Sequence, residues 1–112
     1  MARILRGEIY WVDLNPTIGH EQSGIRPVLI LSSNIFNEKS GTIIGMAITS
    51  QKPKAGYPLS YSLEDEKLPK PSWVKIGQVR TLSTDRIREI IGKINDEKLR
   101  EIIEGLNEIL GT

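Results

Sequence analysis

The chain has 112 residues and a formal net charge of +1, enough to bury one core but too evenly charged to wrap nucleic acid through a global positive field. Hydrophobic residues make up 38% and charged residues 26%, as in ordinary globular domains, and the absence of cysteine removes disulfides and thiolate chemistry. One histidine and no cysteine make a zinc centre unexpected. No signal-peptide stretch or bilayer-length apolar run is seen, so a cytoplasmic protein off the membrane is predicted.

Residues 7–14, Gly7-Glu8-Ile9-Tyr10-Trp11-Val12-Asp13-Leu14, are rich in aromatic and β-branched types and end at the turn signal Asn15-Pro16, so they read as a first strand. Val28-Leu29-Ile30-Leu31 is a continuous apolar run after Pro27, the pattern of a strand buried on both faces. Residues 42–49 form a third strand, in which Gly45 signals a bulge or a close backbone approach. Residues 57–63 alternate apolar and polar, with Pro58 favouring a sheet edge, and residues 73–80 carry enough β-branched content for a fifth strand. The stretches 50–57 and 64–72 read as loops, and neither a linker nor an internal repeat divides the chain into domains.

Residues 87–94 fit either a helical face or a strand by pattern alone. Beyond them the period changes: Leu99, Ile102, Ile103, Leu106, Ile109 and Leu110 share one helical stripe. Asn95 is a good N-cap, Asp96 and Glu97 suit the first turn, and Gly111 suits the C-terminal cap. Short strands followed by one terminal helix predict a mainly β (α+β) fold, a small β-barrel or strongly bent sheet covered by the helix. So small a barrel has little interior for a ligand, and function is expected on loops and grooves.

The most informative segment is Gly19-His20-Glu21-Gln22-Ser23-Gly24-Ile25-Arg26-Pro27, which gathers an imidazole, a carboxylate, an amide and a guanidinium between two strands. Pro27 holds Arg26 extended, placing its fork of donors at the mouth of the second strand, where it suits an anionic oxygen or a phosphate. If the second and third strands pair antiparallel, Arg26 and Thr49 fall at the same end of the sheet. No Ser-His-Asp spacing, Walker-type loop or metal-ligand cluster accompanies them.

The order of residues 7–16 and 19–27, with Ala47-Ile48-Thr49-Ser50 and Gln78-Val79-Arg80-Thr81-Leu82 further on, resembles the MazF/PemK-type toxins from about residue 6 to residue 111. The resemblance implies one domain over residues 1–112, an SH3-like barrel of five to seven strands with a C-terminal helix, and a strand at 87–94. It further implies a homodimer and sequence-selective, metal-free cleavage of single-stranded RNA without a cofactor. A cognate antitoxin that blocks the site is the implied protein partner. Carried over residue by residue, it makes Arg26 and Thr49 catalytic and Glu21 the candidate base. His20 stands where relatives often hold a small polar residue, and an imidazole is suited to the same task by its ordinary pKa.

Metal-free cleavage proceeds by attack of the 2′-OH on the adjacent phosphorus, and it needs a base, an acid and a counter-charge for the phosphorane. Arg26 is expected to supply the charge and Thr49 a hydroxyl hydrogen bond. Candidate RNA contacts are Gln22, Ser50, Gln51, Lys52, Lys54, Tyr57, Gln78 and Arg80, with Arg86 as a further cation and Trp73 as an alternative stacking surface. Trp11 and Trp73 otherwise read as core or dimer contacts. Two other functions are open to this fold: a barrel that binds RNA or protein without cutting, and a gyrase poison. The latter is disfavoured by the small C-terminal end Ile109-Leu110-Gly111-Thr112.

Overall fold

A computed structural model describes residues 3–15, 24–64 and 68–112. Six strands form one antiparallel sheet in the order β4-β5-β3-β2-β1-β6: β1 (Glu8–Asp13), β2 (Ile25–Ile30), β3 (Thr42–Thr49), β4 (Ser60–Ser62), β5 (Trp73–Ser83) and β6 (Ile87–Lys93). Two α-helices join them, α1 (Asn34–Ser40) and α2 (Asp96–Leu110), with a 3-10 turn at Thr84–Arg86. That turn links β5 directly to β6, which lies on the far side of β3, β2 and β1. The sheet therefore curls back on itself and is barrel-like although its strand pairing is open.

Each face of the curl has its own core, as the alternation of side chains along strands requires. Ile9, Leu29, Met46, Ile48, Val74, Ile76 and Leu63 pack with Leu99 and Ile102 of α2. On the other face Tyr10, Val12, Leu14, Val28, Ile30, Ile43 and Leu82 cluster together. The run Val28-Leu29-Ile30 contributes to both clusters, so it is buried on two faces as its continuous apolarity predicts. Gly45 marks a close approach: a Cβ there would lie 2.6 Å from Val28 Cγ1 and 2.8 Å from the Leu29 carbonyl oxygen.

The strand at 87–94 is present as β6, and β4 is an edge strand, shorter than the stretch 57–63. Helix α1 is an element that the sequence reading did not contain. Its N-cap Ser33 accepts a hydrogen bond from the Phe36 amide, and Gly41 closes it in the left-handed conformation. Helix α2 starts at Asn95, whose side chain accepts from the Lys98 amide, and ends at Gly111 with φ 78°. Its stripe is only partly covered: Leu99 and Ile102 are buried, Ile103 and Leu106 are half-buried, and Ile109 and Leu110 are exposed.

Candidate active site and nucleic-acid interface

Strands β1, β2 and β3 meet where the sequence placed its reactive residues. Along β1 and β2, Val12 stands opposite Arg26 and Trp11 opposite Pro27. The β2–β3 ladder runs through Ile30–Gly45, Leu29–Met46 and Val28–Ala47. Two residues beyond Val28 is Arg26, and two residues beyond Ala47 is Thr49. Both side chains therefore lie at the same end and on the same face of adjacent strands, a consequence of antiparallel register. Arg26 is exposed, whereas Thr49 is buried and its Oγ1 accepts from the Gln51 amide at 3.1 Å. That bond leaves the hydroxyl hydrogen of Thr49 to donate elsewhere.

Two hollows flank this end of the sheet. A cleft of about 100 Å³ is lined by Trp11, Arg26, Pro27, Ile48, Ser50 and Lys70, among others. An open groove of about 650 Å³ lies on the other side, lined by Lys52, Lys54, Tyr57, Tyr61, Trp73 and Glu104, among others. The segments Ser50–Lys52 and Ser72–Trp73 form the wall between them, since Ser50 and Ser72 line the cleft while Lys52 and Trp73 line the groove. Each tryptophan is half-buried, with one in each hollow.

The groove has a rigid aromatic wall. Tyr57 Oη donates to the Glu101 carbonyl oxygen at 2.7 Å, and Tyr61 Oη donates to Glu101 Oε1 at 3.2 Å. The two rings meet edge-on with centroids 6.4 Å apart. Partial burial, followed by the hydrogen bond to Glu101 and the nearby carboxylates, pushes the Tyr61 phenol up to about 12. Tyr57 is raised in the same direction, first by desolvation and then by Glu108, Glu104 and Glu101.

Arg80 and Arg86, expected as phosphate contacts, are engaged with backbone. Arg80 Nη1 donates to the Leu14 carbonyl at 3.5 Å, and Arg86 Nη1 donates to the carbonyls of Asp13 and Asn15. Asn15 Oδ1 in turn accepts from the Gly24 amide at 3.0 Å, and the Leu14 amide bonds the Gly24 carbonyl at 2.9 Å. These bonds fix the two strand ends from which Arg26 emerges. Gln78 is half-buried on β5, and Gln51 is exposed beside Thr49. His20, Glu21 and Gln22 lie outside the described residues. Among the described residues, no three His, Cys, Asp or Glu side chains group to hold a metal ion.

Tyr61, Lys70, Ser72, Glu101 and Glu104 line the hollows although the sequence reading did not select them. Pro-rich residues 68–72 read only as a loop. Glu101 and Glu104 lie off the apolar stripe of the terminal helix, with nothing local to show that β4 packs against them.

Residues 5–110 match the family described as PemK-like, MazF-like toxin of type II toxin-antitoxin system. The chain belongs to that family. It is 38% identical over 108 residues to the endoribonuclease MazF of Staphylococcus saprophyticus, spanning 95% of this chain and 90% of the relative. Its fold superposes on crystalline MazF from Deinococcus radiodurans with a TM-score of 0.87 and 28% identity, each chain covered completely. A MazE–MazF complex from the same organism matches with a TM-score of 0.79 and 24% identity, covering 100% of this chain and 99% of that one. No described helix is long and apolar enough to cross a membrane.

Proposed function

We propose that this family member, an endoribonuclease toxin, cuts single-stranded RNA selectively and without a metal ion, by attack of a ribose 2′-OH on the adjacent phosphorus. The O–P bond formed gives a 2′,3′-cyclic phosphate, and the bond broken releases a 5′-OH. The observation that carries this reading is the shared end and face of Arg26 and Thr49 on neighbouring strands. Arg26 holds the non-bridging oxygens and meets the charge that builds in the phosphorane, a task for a planar cation with a fork of donors. Thr49 donates its hydroxyl to the same phosphate, oriented by the Gln51 amide.

Glu21 or His20 removes the 2′-OH proton, and the leaving 5′-oxygen takes a proton from the same segment or from water, because a guanidinium is a poor donor. Ser50, Gln51, Lys52, Lys54 and Tyr57, with Gln22 and Gln78, hold the strand on either side of the cut. Arg80 supports the frame. The protein acts in the cytoplasm as a homodimer, and a cognate antitoxin restrains it, in keeping with the MazE–MazF assembly formed by its structural relative.

Purified protein incubated with a long RNA in EDTA is expected to yield discrete fragments ending in 5′-OH and cyclic phosphate. Arg26→Ala should lower the cleavage rate by about a hundredfold or more while leaving the circular dichroism spectrum unchanged. Retained cleavage by folded Arg26→Ala protein would remove the core of the mechanism.

A further inference from the structure

The groove beside the cleft has an arrangement of charge that phosphate binding alone does not explain. Lys52 and Lys54 are exposed and come from the loop after β3, with no ion pair or hydrogen bond among the described residues. Glu101 and Glu104 of α2 line the same groove, together with Tyr57, Tyr61 and Trp73. Glu101 is committed, since its Oε1 accepts the Tyr61 hydroxyl. Glu104, one helical turn further on, is exposed; it acts on the Tyr57 phenol through its charge but makes no hydrogen bond or ion pair among the described residues. A carboxylate on that rim repels a backbone phosphate. It attracts a hydrogen-bond donor instead.

The two tyrosine hydroxyls are tied to α2, so the Tyr57 ring is fixed while 48% of the residue stays exposed. A fixed, open ring is a stacking platform for an unpaired base. With phosphate attracted to the lysines and a base on the aromatic wall, the base edge turns toward α2. An exocyclic amino group of adenine, cytosine or guanine can donate to Glu104. Uracil offers only carbonyl oxygens on that edge besides its ring N–H.

We propose that this groove is a base-reading subsite, in which Glu104 selects an amino-bearing nucleobase over uracil at one fixed position beside the cut. It rests on the ribonuclease reading above and adds to it a specificity residue from the C-terminal helix. The groove and the cleft share the wall formed by Ser50–Lys52 and Ser72–Trp73, so a strand crossing the Arg26 end can continue into the groove.

Short RNAs randomised on both sides of the cut are incubated in EDTA with wild-type protein, Glu104→Ala and Glu104→Lys, and cleavage is counted by base at each position. The same RNAs with 2′-O-methyl ribose, which cannot be cut, are titrated for binding. Alanine and lysine both suit an exposed helical site, so the variants fold. Wild type is expected to prefer an amino-bearing base over uracil at one position in both measurements. Glu104→Ala should reduce that preference about tenfold, and Glu104→Lys should invert it toward uracil. Identical base profiles for the three proteins would overturn the subsite. Wild-type binding with this preference but no cleavage would leave the subsite standing and overturn the ribonuclease reading instead.

Discussion

Gly45 lies on β3 where Val28 and Leu29 of the neighbouring strand press against its backbone. A methyl group there meets a carbonyl oxygen as well as a side chain, so the strands themselves must move. Gly45→Ala is expected to cost about 1–3 kcal/mol, read as a lower midpoint in denaturant. An unchanged midpoint would show that β2 and β3 separate more easily than this packing implies. Tyr10 makes a second residue-level prediction. Its hydroxyl donates to Glu8 Oε1 at 2.8 Å, and burial, then that bond and the Glu8 charge, push its phenol up to about 12. The unfolded phenol ionises near 10, so the unfolded chain loses its proton first. Tyr10 and Tyr61 therefore contribute stability that is fully present below about pH 10 and is lost as pH rises toward 12. Denaturant midpoints between pH 9 and 12 should fall less steeply for the double variant Tyr10→Phe, Tyr61→Phe than for wild type.

The terminal helix owes its start to Asn95, whose Oδ1 accepts the Lys98 amide at 2.8 Å. Asn95→Ala should destabilise the protein by about 1 kcal/mol, and the loss should appear in calorimetry without any change in cleavage specificity. At Gly105, α2 lies close against β5 and Tyr57: a Cβ there would be 2.9 Å from Ile76 Cδ1 and 3.1 Å from Tyr57 Cε1. Glycine weakens a helix interior, but here it lets the helix approach the strands. That approach brings the Glu101 carbonyl within reach of Tyr57 and sets Glu104 on the rim of the groove. The packing of one element thus positions a polar side chain of another.

With so small a net charge on the whole chain, RNA affinity has to come from local cations. Each phosphate met by a lysine contributes about −0.7 to the slope of log affinity against log salt for a single strand. Replacing both Lys52 and Lys54 by alanine should shallow the slope by roughly 1.4, measured by fluorescence anisotropy on uncuttable RNA. An equal slope for the variant would exclude phosphate contacts by these lysines. Arg80 and Arg86 should behave differently, because they hold the C-terminal end of β1 from β5 and the turn that follows it. Their replacement is expected to lower thermal stability more than it alters the salt slope.

The first five strands, the terminal helix and its caps were legible because hydrophobic period and capping chemistry are local properties, whereas β6 was ambiguous by pattern and read as a strand only through the family resemblance. So was the placement of Arg26 and Thr49 at one end of adjacent strands, which needs only antiparallel register between two strands that follow one another. The first helix was hidden because Asn34–Ser40 carries little apolar stripe; a serine cap and a left-handed glycine define it instead. The backbone partners of Arg80 and Arg86 were hidden because they are carbonyls 66 to 73 residues away, which no local pattern encodes. The same holds for Glu104: its neighbours along the chain mark it as solvated, and only the folding of the loop after β3 and strand β4 against α2 places lysines and aromatic rings in the same groove. Local order follows from short-range sterics and periodicity, whereas the assignment of a polar group to frame or to ligand depends on which distant segment the curled sheet brings beside it.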